Sequence, residues 1–172
     1  MTPTAGTLVF AHTTGLMGRA IRFGERLRWK HNAAFYNHVA VVDRVTNGVA
    51  YIIQAEARGV TNDKTLESVS PGGTYTLVEP PTHVDRNAML EFARNEVGSK
   101  YGWLSILSAV FDIVTPDWLP SVRRDDSWIC SAVTAEALRT GGWVYRWPDI
   151  YCVTPAQLFN AVMSDGGSIP SN

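Results

Sequence analysis

Apolar residues fall along this chain in two rhythms. In the first half they come as short, largely β-branched runs. Leu8-Val9-Phe10 follows Gly6-Thr7, and His38-Val39-Ala40-Val41-Val42 and Val49-Ala50-Tyr51-Ile52-Ile53 come later. Runs of this length, bounded by turn residues, predict strands. The polar stretch Asp43 to Gly48 joins the last two, and its Asn47-Gly48 pair is a hairpin signal because both residues tolerate positive φ. Gly72 to Val78 predicts a further strand, stopped by Pro80-Pro81. Beyond Asp85 the spacing lengthens. Ala88, Met89, Phe92, Ala93 and Val97 recur at helical intervals, with Asp85 placed as N-cap and Gly98 as terminator. Ser127 to Thr140 reads as a second helix with Ile129, Val133, Ala137 and Leu138 inward, ended by Gly141-Gly142. Thr154-Pro155, a cap followed by proline at the first helical position, opens another helix through Met163. Leu16 to Arg28 is amphipathic, and Trp103 to Val114 is apolar nearly all round, as a buried helix or a lip over a cleft would be. Gly166 to Asn172 reads as a frayed tail. Strands with their hairpin come first and helices after, which predicts an α+β chain rather than a βαβ repeat.

Composition narrows the class. The 172 residues suit one domain spanning 1–172, and 45% hydrophobic against 18% charged residues can bury a real core. A net charge of −1 gives no electrostatic case for a nucleic-acid partner. No apolar stretch reaches the roughly 20 residues that span a bilayer, so no transmembrane segment is expected. Met1 to Gly6 lacks a basic region followed by an apolar run. The expected location is therefore the cytoplasm as synthesised, with delivery by a phage particle or a lysis system as a further route. The two cysteines, Cys130 and Cys152, read as free thiols. With four histidines they lack the paired spacing of a structural zinc site, and no metal or cofactor is expected.

The chemistry concentrates at Cys130. It lies in Asp126-Ser127-Trp128-Ile129-Cys130-Ser131-Ala132, at the predicted start of a helix. Unpaired amides and the helix dipole there stabilise a thiolate and can also hold an oxyanion. A thiol nucleophile further needs a base, and a third group that fixes the imidazole's tautomer. His38 opens a strand just after Asn37 and is the candidate base; His12, His31 and His83 sit in loop or polar contexts and receive no role.

The order of these pieces resembles the permuted papain-like peptidases, the YiiX-like branch of the NlpC superfamily, related in fold to lecithin:retinol acyltransferase. Gly6-Thr7-Leu8-Val9-Phe10 resembles the opening "GDIIF" strand, and Arg19-Ala20-Ile21 falls where the family has its first helix. Asn37-His38-Val39-Ala40-Val41-Val42 is similar to the "HxGxx" histidine strand, and Tyr51-Ile52-Ile53-Gln54-Ala55 to the strand that follows it. Gly98-Ser99-Lys100-Tyr101-Gly102-Trp103 resembles "GxPYxW", Trp128-Ile129-Cys130-Ser131 the aromatic-x-Cys-Ser nucleophile motif, and Val153 to Phe159 the closing "SPxxL" helix. The resemblance runs nearly end to end. It implies a circularly permuted papain-like (NlpC-type) fold, an antiparallel sheet packed against helices.

The resemblance also implies Cys130 as nucleophile, His38 as general base and then acid, and Tyr101 lining the substrate cleft. Gln54 takes the place of the orienting group, where the family often carries Glu or His. Its amide oxygen can accept the imidazole N–H, but it adds no charge. Glu56, two residues further on the same strand face, is the rival for that role. The expected activity is cleavage of an amide or ester through an acyl-enzyme, on a cell-wall peptide or a lipid-linked acyl or amide substrate, with acyl transfer as a variant. Two other classes stay open. One is a binding or structural module that keeps the fold without turnover. The other is a thiol redox protein using Cys130 and Cys152, although the two form no Cys-x-x-Cys pair.

Overall fold

A computed structural model of the chain describes residues 3–13, 35–69, 74–101, 127–144 and 153–170. The predicted Leu16 to Arg28 and Trp103 to Val114 helices and Cys152 lie outside these residues. Five strands build one antiparallel sheet: β1 (Leu8–Ala11), β2 (His38–Thr46), β3 (Val49–Glu56), β4 (Gly59–Thr65) and β5 (Tyr75–Val78). Their order across the sheet is β4-β3-β2-β1-β5. Among the described residues four helices accompany it: α1 (Leu66–Val69), α2 (Arg86–Asn95), α3 (Cys130–Thr140) and α4 (Pro155–Ser164). The architecture is α+β, as the change of rhythm predicts.

Alternation along the strands gives each sheet face its own core. Leu8, Phe10, Val39, Val41, Ile53 and Ala55 pack toward Met89, Leu90, Val133, Leu138 and Leu158 of the helices. Val9, Ala40, Val42, Ala50, Ile52 and Leu66 fill the opposite face. The interior strand β1 is fully buried over its four residues, which is why it reads as a continuous apolar run.

The punctuation behaves as its chemistry dictates. Asn47 and Gly48 both take positive φ, 52° and 78°, in the β2–β3 hairpin. The Asp85 carboxylate accepts the amides of Asn87 and Ala88 at the start of α2. Thr154 and Gln157 form a reciprocal capping box ahead of Pro155 in α4. In β2 the register slips between Val42 and Arg44, so Asp43 is bulged out of the ladder. Its buried carboxylate accepts Arg94 Nε of α2 at 2.7 Å and pairs with Arg44, while Arg94 also donates to the Asp43 carbonyl. The bulge therefore ties the sheet to α2.

Three expectations need correction. The strand β4 carries no apolar alternation and was not anticipated; it forms because β3 offers an open edge, and it pairs from Glu56↔Gly59 to Tyr51↔Thr65. The helix expected from Ser127 begins at Cys130, because Ser127 and Trp128 instead form a two-residue parallel ladder, β7, with β6 (Lys100–Tyr101). The presumed fray at Gly166 is anchored through Ser168, which exchanges two backbone hydrogen bonds with Glu79 at 2.8 and 3.1 Å.

Candidate active site

The site forms where β2 and β3 part company. Backbone groups in an antiparallel strand point alternately to its two neighbours. Val42 N donates to Thr7 O at 2.8 Å on the β1 side, so by alternation the amide of Val39 faces β3. The β2–β3 pairs, however, begin only at Val41↔Ile53. The Val39 amide is thus released from the ladder, and it donates to the sulfur of Cys130.

His38 is the first residue of β2, opposite Ala11 of β1. Its lead-in is pinned by the buried Asn37, whose Oδ1 accepts both the amide and the hydroxyl of Thr13 while Nδ2 donates to Thr13 O. The half-buried imidazole places Nε2 at 2.7 Å from Gln54 Oε1. An amide oxygen only accepts, so Nε2 carries the proton and Nδ1 is left for the Cys130 thiol, with which His38 is also hydrogen-bonded. Gln54 is itself buried near the end of β3, and its length spans the gap between the two strands.

Cys130 is the first residue of α3 and is only 4% exposed. Small residues follow it; Ser131, Ala132 and Ala135 are buried and let α3 lie close on β2 and β3. The Ser131 hydroxyl donates to Val153 O at 2.6 Å and the Thr134 hydroxyl to Cys130 O at 2.9 Å, so the start of the helix is fixed from two directions. Ile129, at the N-cap, has no side-chain oxygen, and the first amides of α3 receive no capping bond from it. One of them, Ser131 N–H, points at the Cys130 sulfur.

The electrostatics follow from these contacts. Burial pushes the Cys130 thiol up, but the hydrogen bond and charge of His38 and the Val39 and Ser131 amides outweigh it and hold the thiol below its ordinary value. Burial pulls the His38 imidazolium down. The hydrogen bond and charge of Cys130 oppose this, followed by the Gln54 bond and the charge of Glu56, and the net result is a raised value. Shifts in opposite directions favour a thiolate–imidazolium pair that titrates as a unit.

Of the five residues singled out in the sequence, Cys130, His38 and Gln54 come together. Glu56 is the last residue of β3, two beyond Gln54, and its carboxylate is held by Arg58, whose Nε and Nη2 reach the same oxygen at 3.2 and 2.9 Å. The backbone of Tyr101 ends β6, and its side chain lies outside the described part of the structure. The Val39 amide is a participant that sequence reading did not supply, since nothing in the residue type marks where a ladder will open.

No family model matches the chain, and no curated protein is similar to it in sequence. Among solved structures, the fold matches the crystal structure of metalloprotein yiiX from Escherichia coli O157:H7 with a TM-score of 0.53 and 18% identity, covering 82% of this chain and 67% of that one. The chain therefore has a yiiX-like α+β fold.

Proposed function

We propose that this chain is a cysteine hydrolase of the permuted papain-like class, with an acyl-enzyme formed on Cys130. The observation that carries the reading is the relay itself: a buried thiol at a helix start, bonded to an imidazole whose far nitrogen is fixed by Gln54.

The Cys130 thiolate attacks the carbonyl carbon of an amide or ester. Negative charge then develops on the carbonyl oxygen, and the Cys130 N–H, among the uncapped amides of α3, is a donor for it. The His38 imidazolium gives the Nδ1 proton to the leaving group, leaving the acyl group on sulfur. Neutral His38 next takes a proton from water through the same nitrogen, the water oxygen attacks the thioester, and thiolate departs with the imidazolium restored. Throughout, Gln54 keeps the Nε2 proton in place. Substrates of the class we favour are cell-wall peptides and lipid-linked acyl or amide groups, with an acyl acceptor other than water as a variant.

The yiiX protein is described as a metalloprotein. Among the described residues here, no three of His, Cys, Asp or Glu cluster as a metal-binding set, and both nitrogens of His38 are already engaged by Gln54 and Cys130. These donors do not fit a metal.

The test is the rate of Cys130 alkylation by iodoacetamide against pH, followed on the Cys130 peptide by mass spectrometry. The thiol is lowered, so labelling should set in below the pH at which a free thiol ionises. Because His38 is raised, the imidazolium should survive above the pH at which a free imidazole loses its proton. His38→Ala should return labelling to ordinary thiol behaviour, and Cys130→Ala should keep the fold but release no product from cell-wall peptides or acyl esters. A wild-type profile indistinguishable from that of a free cysteine would reject the hydrolase reading and favour a binding module on the same fold.

A further inference from the structure

A neutral glutamine can orient an imidazole, but it cannot answer the positive charge the ring acquires. The strand that carries Gln54 also carries a carboxylate at its next position on the same face. We propose that Glu56 is a second positioning residue for His38, supplying the negative charge that Gln54 lacks, with Arg58 holding its carboxylate in place. Orientation and charge, which a single acidic group can combine, are thus divided between two side chains of β3. This inference rests on the hydrolase reading of the site.

The register carries the argument. The pairs Val42↔Ile52 and Val41↔Ile53, continued three residues along the diverging strands, bring His38 level with Glu56. Residues level across an antiparallel pair project to the same face. At this point β2 begins and β3 ends, so both residues stand at the mouth of the opening that Gln54 spans. Glu56 has a side-chain exposure of 28%, enough burial for its field to act on His38 with less screening than a fully solvated charge. The charge of Glu56 acts on His38 in the direction that favours imidazolium.

Besides the Cys130 thiolate, which is the other half of the pair, the remaining groups around His38 do not supply this charge. On the β3 side Gln54 is neutral, and Arg58 lies behind Glu56, paired also with Asp63 of β4 at 3.8 Å. From α3 come Cys130 itself and the uncharged Ser131 and Thr134. From β1 come Ala11 and then His12, whose Nδ1 is on Phe35 O at 2.7 Å. Glu56 is thus the carboxylate that β3 places on the face of Gln54, with its charge acting on the ring.

The experiment is an NMR titration of the His38 ring in the full-length protein, alongside the Cys130 alkylation profile. Glu56→Gln is nearly isosteric and removes only the charge. It should lower the pH at which His38 loses its proton and narrow the range in which thiolate and imidazolium coexist. Raising the salt concentration should shrink the difference between wild type and Glu56→Gln, which a packing role would not do. In the double variant Gln54→Glu with Glu56→Gln, the charge returns one strand position away and the His38 titration should move back up. An unchanged His38 titration in Glu56→Gln overturns this inference while leaving the Cys130–His38 pair intact. A wild-type His38 that titrates like a free imidazole would instead remove the hydrolase reading on which it rests.

Discussion

Gln54→Leu is the substitution that isolates the third member of the relay. Leucine occupies nearly the same volume as glutamine, so the packing near the end of β3 is kept while the acceptor 2.7 Å from His38 Nε2 is lost. A hydrogen bond to a charged group contributes about 1.5–3 kcal/mol. The bond is charge-assisted only when the ring is an imidazolium, so its loss falls mainly on the thiolate–imidazolium state and much less on the neutral pair. The ion pair should then be depopulated roughly 10- to 150-fold relative to the neutral pair, at about tenfold per 1.4 kcal/mol. Near neutral pH the rate of iodoacetamide labelling of Cys130 should drop accordingly. Gln54→Glu keeps an acceptor at the same place and should label at least as fast as wild type. A thermal melt of both variants separates this from misfolding. Labelling of Gln54→Leu within twofold of wild type, with the melt unchanged, would refute the claim that the Gln54 bond sustains the pair.

Two further substitutions test the scaffold rather than the chemistry. Asp43→Ala removes the buried carboxylate that joins Arg94 of α2 and Arg44 to the β2 bulge. Both guanidiniums are about half exposed and can rehydrate, so the expected loss is about 1.5–3 kcal/mol in a denaturant titration. Cys130 labelling below the melting range should be unchanged. Gly59→Ala places a methyl group where φ is 117° and where the Ser99 carbonyl oxygen already approaches. It should cost at least about 2 kcal/mol, and an unaltered melting temperature would show that the β3–β4 turn yields more easily than its geometry implies.

The fold was legible wherever one physical signal decided the local structure. Apolar runs mark β1, β2, β3 and β5. The Asn47-Gly48 turn, the Asp85 cap and the Thr154-Pro155 start could each be read from residue chemistry. Legibility failed where a partner from far along the chain decided. The edge strand β4 is polar, Gly59-Val60-Thr61-Asn62-Asp63-Lys64-Thr65, and exists because β3 presents an unpaired row of amides and carbonyls to it. Ser127 and Trp128 look like the first turn of a helix until Lys100 and Tyr101 pair with them. Ser168 reads as tail until Glu79 binds it.

The site divides the same way. His38 and Cys130 were legible as a strand start and a helix start whose chemistry fits together. Gln54 and Glu56 could not be separated by alternation, since both lie on one face of β3. The parting of β2 and β3 distinguishes them, because the glutamine reaches across the gap and the carboxylate stays at its rim beside Arg58. That parting, and the amide of Val39 it releases, has no signature in residue type.

Ile129 gives the start of α3 an unusual standing among possible improvements to this protein. A search for greater thermal stability would single it out, since Ser or Asp at an N-cap commonly adds about 1 kcal/mol over an aliphatic residue. The new oxygen would compete for the first amides of α3, among them the Ser131 N–H that now points at the Cys130 sulfur. A hardier protein with a quieter thiol would result. Thermal stability and thiol reactivity therefore make opposite demands on this one position, and isoleucine meets the second.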